Sequence, residues 1–433
     1  MNTSSLPYAL MDPITYLPNR QHFIDVFASG GAPDGTLIMV TLAEASHYNH
    51  ILRSLGHEYG DNFVRAGAAR IRGALPSDID VFHTSMLGFA MIVPGDAEAV
   101  AARLIAALDA PLDCGGIPIS TRVGVGLAPC KDAYGSDLLR AALVAAQDSR
   151  AGGPGYAYYD SRSDEKNRRG FRLVSQLTEA LRAANQLSLD FQPKYKLATR
   201  RAIGVEALLR WNHPHLGPIS PAEFIPLVEA TALINPLTDW VLDTALAQLS
   251  EWHDQNYFFT MAINVSPENM IRTAFAEKMA AVLDRHRIDP SFVEIEFSEH
   301  PLMAQSDAIG TELKKVRELG VHVALDDFGT GFYNLNYLTS RTVDIIKINR
   351  AMLATIETND RSAMLVRTMI TMAHRLGYRV VADGIENAST YQLLKEWACD
   401  EGQGYFLSRV MTKAQFTAWM PLNQPVRLLE TAG

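Results

Sequence analysis

Residues 321–335 read VHVALDDFGTGFYNL: a mostly apolar run, two adjacent acids (Asp326 and Asp327), then a glycine-rich turn. An apolar run of this length bounded by a turn reads as a buried strand. Both carboxylates would be ionised at neutral pH, and isolated charges are expensive to bury unless they are paired or bound to a cation. The stretch therefore predicts a strand whose end faces balancing charge. Strings of the same make-up recur from residue 187 onward: LSLDFQP (187–193), AIGVEALLRW (202–211), FTMAINVS (259–266), FVEIEFSE (292–299), VDIIKINR (343–350), RVVADGIE (379–386) and EGQGYFLS (401–408). Eight such strands separated by helical stretches, over roughly 230 residues, have the size and rhythm of a TIM-type (β/α)8 barrel.

A chain of 433 residues exceeds one ordinary core, so two domains are expected. The stretch GGPGYAYYDSRSDEKNRRG (152–170) carries glycine, proline and a charged run, and it divides the chain. Before it, TLIMVTLAEA, AVAARLIAALDAP, ISTRVGVGLAP and DLLRAALVAAQDSR alternate strand-like and helix-like patterns, which predicts an α/β domain. After it, FRLVSQLTEALRAANQ has apolar residues at helical spacing and reads as a connecting helix. The division expected is 1–160, a connecting helix over 161–186, and a barrel domain over 187–433.

With 48% hydrophobic and 20% charged residues the composition is that of a soluble globular protein. A net charge of −9 argues against a nucleic-acid polymer as partner, because phosphate backbones select basic surfaces. An acidic protein still binds a small phosphorylated ligand where a metal supplies positive charge. Cys114, Cys130 and Cys399 form neither a zinc pattern nor a disulfide framework, which suits a reducing cytoplasm. The start MNTSSLPYALMDP is not a signal-peptide pattern, and no apolar run is long enough to span a bilayer.

Polar residues stand near the strand ends where packing does not want them. Glu206 and Arg210 share parity, as do Lys347 and Asn349; Asn264, Glu296, Asp326 and Asp383 occupy comparable places in their own strands. Active-site groups of such barrels come from the C-terminal ends of different strands and converge on one face. Several carboxylates and a carboxamide are hard oxygen donors, suited to Mg²⁺ or Mn²⁺ rather than zinc. Two such ions sharing a bridging carboxylate form a device for phosphoester hydrolysis, and would let Asp326 and Asp327 tolerate each other.

The strings FQP, EALLRWNHP, FIPLVEATALI, AINVS, EIEFSE, ALDDFGTG, IKINR, ADGIE and QGYFLS resemble, in order and spacing, the EAL family of cyclic-di-GMP phosphodiesterases over about residues 170–425. The resemblance implies metal ligation by Glu206, Asn264, Glu296 and Asp326, with Asp326 bridging and Asp327 on the second ion. It implies that Lys347 holds the attacking water or scissile phosphate, that Arg210 touches phosphate, and that Gln192 and Gln403 line the substrate site. Glu299 and Glu386 would support the loop after DDFGTG. The implied reaction is in-line hydrolysis of one phosphodiester to linear pGpG. Three departures stand near that site: Asp383 where the family has glutamate as base or second-metal ligand, Asn349 in place of aspartate, and Tyr333–Asn334 at the end of a loop that is serine-rich in the family.

DPITYLPNR (12–20), LGHEYGD (55–61), RVGVGLAP (122–129) and YAYYD resemble the GGDEF family of diguanylate cyclases, but the signature itself reads SMLGF (85–89). The metal aspartate falls at Ser46 or Glu44, and the base-binding pair reads Leu52 and Arg53. The resemblance therefore implies a degenerate scaffold for regulation or dimerisation, not synthesis from GTP. The expectations that follow are a cytoplasmic homodimer that hydrolyses cyclic-di-GMP with Mg²⁺ or Mn²⁺, or alternatively an inactive cyclic-di-GMP receptor that signals through a protein partner.

Overall fold

The computed structural model describes residues 7–28, 34–132, 135–151, 155–272, 274–298, 306–329 and 342–423, and the chain divides into two units, Met1–Arg168 and Arg169–Gly433. The first is built around Thr36–Thr41 (β1), buried at five of its six positions. Its alternation sorts the core: Ile38 and Val40 pack with Val64 and Leu104 on one face, Leu37 and Met39 with Phe23 and Ala142 on the other. The other strands of its main sheet are Phe82–Ser85 (β2), Gly88–Val93 (β3), Gly124–Pro129 (β4) and Tyr156–Tyr158 (β5), in the order β2-β3-β1-β4-β5. β1 runs antiparallel to β3 and β4, and β5 is parallel to β4. The glycines of RVGVGLAP let a helix lie directly on β4: a Cβ at Gly126 would sit 2.1 Å from the Ala142 carbonyl oxygen. SMLGF forms the β2–β3 hairpin, with Met86 exposed and Leu87 buried.

A helix spans Ser161–Arg182, within the 161–186 expected for the connecting helix, and takes in the charged run ahead of FRLVSQLTEALRAANQ. The charged run SRSDEKNRRG lies inside that helix, so polarity there marks a helix and not a loop.

In the second unit all eight predicted strands are present: Leu187–Lys196 (β6), Arg201–His213 (β7), Thr260–Asn264 (β8), Val293–Ser298 (β9), His322–Phe328 (β10), Ile345–Ile348 (β11), Arg379–Asp383 (β12) and Glu401–Gln403 (β13). They pair consecutively, and β13 returns to β6, which pairs with β7, so the sheet closes into a TIM-type barrel. One strand departs from the all-parallel plan. β6 is antiparallel to both neighbours, β7 and β13. Only residues 197–200 separate β6 from β7, with Arg200 at a φ of 54° in the turn. A link that short makes a hairpin, since a parallel pair needs a crossover of a dozen or more residues.

Outer helices cover the barrel with apolar stripes. Ile234–Asp254 buries Val241, Leu242, Ala245, Leu246, Leu249 and Trp252, a 3–4 spacing that gives one face. Inside, Ala324, Ile345 and Val381 form a small separate cluster. Each lies two residues before Asp326, Lys347 and Asp383 on β10, β11 and β12, so an apolar layer supports a polar layer above it. Among the described residues no helix is long and apolar enough to cross a membrane.

Candidate active site

Strand alternation brings Glu206 (β7), Asn264 (β8), Glu296 (β9), Asp326 (β10), Lys347 (β11) and Gln403 (β13) together around the barrel interior. Glu206 Oε1 accepts from Asn264 Nδ2 at 2.7 Å, and its Oε2 accepts from Gln403 Nε2 at 2.5 Å. The ammonium of Lys347, 1% exposed, sits in the middle. It donates to Glu296 Oε2 and lies 3.6 Å from both Glu206 Oε2 and Asp326 Oδ1.

The electrostatics follow from this crowding. Burial opposes ionisation of Glu206, but Lys347 and the two amide donors outweigh it and hold the carboxyl below its ordinary value. Burial, then Glu206 beside it, pushes Glu296 well above the carboxylate range. Burial likewise raises Asp326 and Asp383. For Lys347 burial disfavours the charge, yet Glu206, Glu296 and Asp326 drive the ammonium well above its usual value.

The two adjacent acids are reconciled by a bulge. The β10–β11 register runs Leu325↔Ile346 and then Phe328↔Ile348, so β10 carries one extra residue there, and Asp327 adopts a φ of 56°. In a regular strand Asp326 and Asp327 would face opposite sides. Here Asp326 lies by Lys347 on β11, while Asp327 Oδ1 accepts from Nδ2 of Asn349, just past the end of β11. The balancing groups opposite the pair are thus an ammonium and an amide.

Other expected residues are placed less centrally. Asp383 ends β12 opposite Gln403, but among the described residues the ion pairs of Lys347 go to Glu206, Glu296 and Asp326 and not to it. Arg210 lines the cleft, yet its Nε donates to Asp190 Oδ2 at 2.7 Å, so this edge of the expected phosphate contact is already engaged. Gln192 pairs with Glu206 across the hairpin and donates to the Ser408 carbonyl at 3.4 Å. Glu386 pairs with Arg350 at the surface. Glu299, Tyr333 and Asn334 lie outside the described residues.

Asn264, Glu296, Asp326 and Asp327 also line a cleft of about 520 Å³. Two helices line it with a mainly apolar wall, Pro221, Ile225 and Pro226 on one and Ile234, Leu237 and Val241 on the next, with Glu229 and Thr238 among them. Sequence reading missed this wall, as it missed a buried pair beneath the site, Lys194 Nζ to Glu294 Oε1 at 2.6 Å. The shared parity of Lys194 with Gln192, and of Glu294 with Glu296, was the available signal.

Among the described residues no three acidic, histidine or cysteine side chains are gathered as a ready-made metal cage. The donors nevertheless suit a hard divalent cation. They are carboxylate and carboxamide oxygens, and the buried Glu296 Oε1 and Gln403 Oε1 have no hydrogen-bond partner.

In the first unit a cavity of about 640 Å³ is lined by Thr41, Glu44, Tyr48, Asn49, Met86 and Arg150, among others, and Glu44 is the acid in that lining.

Comparison with known proteins agrees with this two-part organisation. Residues 174–410 match the EAL domain, and residues 9–153 match the family described as diguanylate cyclase, GGDEF domain. Cyclic di-GMP phosphodiesterase PA2567 of Pseudomonas aeruginosa is 39% identical over 89% of this chain and 67% of its own length. The bifunctional diguanylate cyclase/cyclic di-GMP phosphodiesterase MucR of the same organism is 29% identical over 96% of this chain, which spans 62% of that protein. Among solved structures, the PaMucR phosphodiesterase in its c-di-GMP complex superposes with a TM-score of 0.54 at 33% identity, covering 57% of this chain and 99% of that one. The chain belongs to the EAL domain family and carries a GGDEF domain ahead of its EAL domain.

Proposed function

We propose that the barrel hydrolyses cyclic-di-GMP to linear pGpG in a Mg²⁺- or Mn²⁺-dependent reaction. The observation that carries this reading is the ring of Glu206, Asn264, Glu296 and Asp326 around Lys347, opening on a cleft with a mainly apolar wall. A dinucleotide brings two flat bases and two anionic phosphates. The apolar wall suits a base, and the acid-rich floor would repel phosphate unless cations intervene. Glu206, Asn264, Glu296, Asp326 and Asp327 would hold the ions, with Asp383 beside the second. When bound, the ions supply charge stabilisation at the reacting phosphate and acidify water.

The chain's own side chains then divide the remaining work. Lys347 holds its proton throughout and fixes the carboxylates that face the phosphate. Asp383, with its carboxyl raised by burial, is the candidate acceptor for the proton of the attacking water. Arg210, Gln192 and Gln403 orient the substrate. The first unit serves as a regulatory or dimerisation module without cyclase activity, a reading supported by Met86 and Leu87 at its hairpin. Residues 1–160, 161–186 and 187–433 are the corresponding domain, connecting helix and barrel domain, in a cytoplasmic homodimer. Incubating the purified protein with cyclic-di-GMP and Mg²⁺ or Mn²⁺ should yield pGpG, and chelation should abolish it. Binding without product would instead identify a receptor, and product from GTP would contradict the role given to the first unit.

A further inference from the structure

Lys194 is 1% exposed and its partner Glu294 3%, beneath the site in the barrel interior. A fully buried ion pair is weak support for stability, because desolvation offsets most of the attraction and apolar replacement is often neutral or favourable. The neighbouring interior layer contains such residues, Ala324, Ile345 and Val381. The position of the pair offers another account. Lys194 Nζ lies 3.7 Å from Glu296 Oε1, the buried oxygen with no hydrogen-bond partner, while Lys347 binds Glu296 Oε2. Two lysines thus bracket one carboxyl group, each facing a different oxygen. Lys194 is anchored from below by Glu294, itself two residues from Glu296 on the same strand face.

We infer that the Lys194–Glu294 pair is a positioning device that fixes the plane of the Glu296 carboxyl group toward the cation site. The inference rests on the functional reading above. Partners that orient a metal-ligating side chain typically change metal affinity or activity by about 10–100-fold when removed.

The test is a cycle of Lys194→Met, Glu294→Leu and the double variant in the full chain, followed by urea unfolding and Mn²⁺ binding measured by calorimetry and EPR. Either single variant strands a buried partner and should lose stability. The double variant should regain the wild-type unfolding midpoint, yet bind Mn²⁺ at least about tenfold more weakly, with a lower kcat and an unchanged KM for cyclic-di-GMP. A purely structural pair would restore Mn²⁺ affinity together with stability, and that result overturns the inference alone. A wild type that binds no Mn²⁺ overturns the functional reading and this inference with it. Should the double variant fail to fold, Glu294→Asp keeps both charges but withdraws the anchor. Weakened Mn²⁺ binding in it supports the inference, and wild-type affinity refutes it.

Discussion

Replacing Lys347 with methionine removes the charge at the centre of the site while keeping most of the side-chain volume. Three carboxyl groups lose their common counter-ion: Glu296, which accepts its hydrogen bond, and Glu206 and Asp326 at 3.6 Å. At an effective dielectric constant of 20, each contact at that distance is worth about 4–5 kcal/mol before desolvation is subtracted. Removing one partner of a buried charge pair costs about 3–5 kcal/mol net. For a unit of this size that is a fall in Tm of roughly 6–10 °C, at about 2 °C per kcal/mol. The pH dependence gives the sharper signature. In the wild type the Lys347 ammonium is raised, so its contribution is complete below the unfolded lysine value and is lost only as alkaline pH rises through the folded one. The depressed Glu206 carboxyl contributes above its unfolded value and loses that contribution as pH falls through the folded one. Without Lys347 the main group lowering Glu206 is gone, so the variant's deficit should be largest at neutral pH and shrink towards pH 4 as the carboxylates protonate. Mn²⁺, which would restore positive charge, should raise the variant's Tm more than the wild type's. Calorimetric melts at pH 7.5 and 4.5, with and without Mn²⁺, read all of this. A variant with wild-type Tm, or a deficit independent of pH, would refute the view of Lys347 as the counter-ion of the cluster.

The strands were legible because burial inside a barrel leaves nearly continuous apolar runs, and the polar exceptions mark the face on which groups converge. The apolar layer of Ala324, Ile345 and Val381, two residues before Asp326, Lys347 and Asp383, emerged only with the structure. The direction of β6 was not legible from its composition, since a buried strand reads the same either way; only the short link at 197–200 carries it. The bulge at Asp326–Asp327 was hidden for a related reason. Adjacency in sequence implies opposite faces, and the register slip that joins them is settled by pairing with β11. Lys194 and Glu294 escaped notice because one lysine next to proline and one glutamate before another read as ordinary polar residues until their partners are known. The pairing of Arg210 with Asp190 depends on the hairpin and could not be inferred from either string.

Asn349→Asp should preserve the cap on Ala351 N, which Asn349 Oδ1 makes at 2.6 Å, but place a carboxylate where Nδ2 now donates to Asp327. A loss on the order of 1–2 kcal/mol in urea unfolding at pH 7.5, reversed by Mn²⁺, is expected; no change would mean the contact is idle. Ca²⁺ should bind and inhibit, because its longer, looser coordination suits two-ion phosphoester chemistry poorly, and turnover in Ca²⁺ equal to that in Mg²⁺ would contradict the proposed chemistry. The Asp383 position is the most informative, because burial raises its carboxyl yet the side chain makes no ion pair with Lys347. Asp383→Glu extends the carboxylate by about 1.5 Å, and a group that takes a proton must come within hydrogen-bond reach of it. If Asp383 works at reduced reach, glutamate should raise kcat several-fold with little change in KM. If the end of β12 has settled around the shorter acid, glutamate will clash and kcat will fall. Wild-type kcat in both Asp383→Glu and Asp383→Ala would remove Asp383 from the reaction and leave the water's proton to another group.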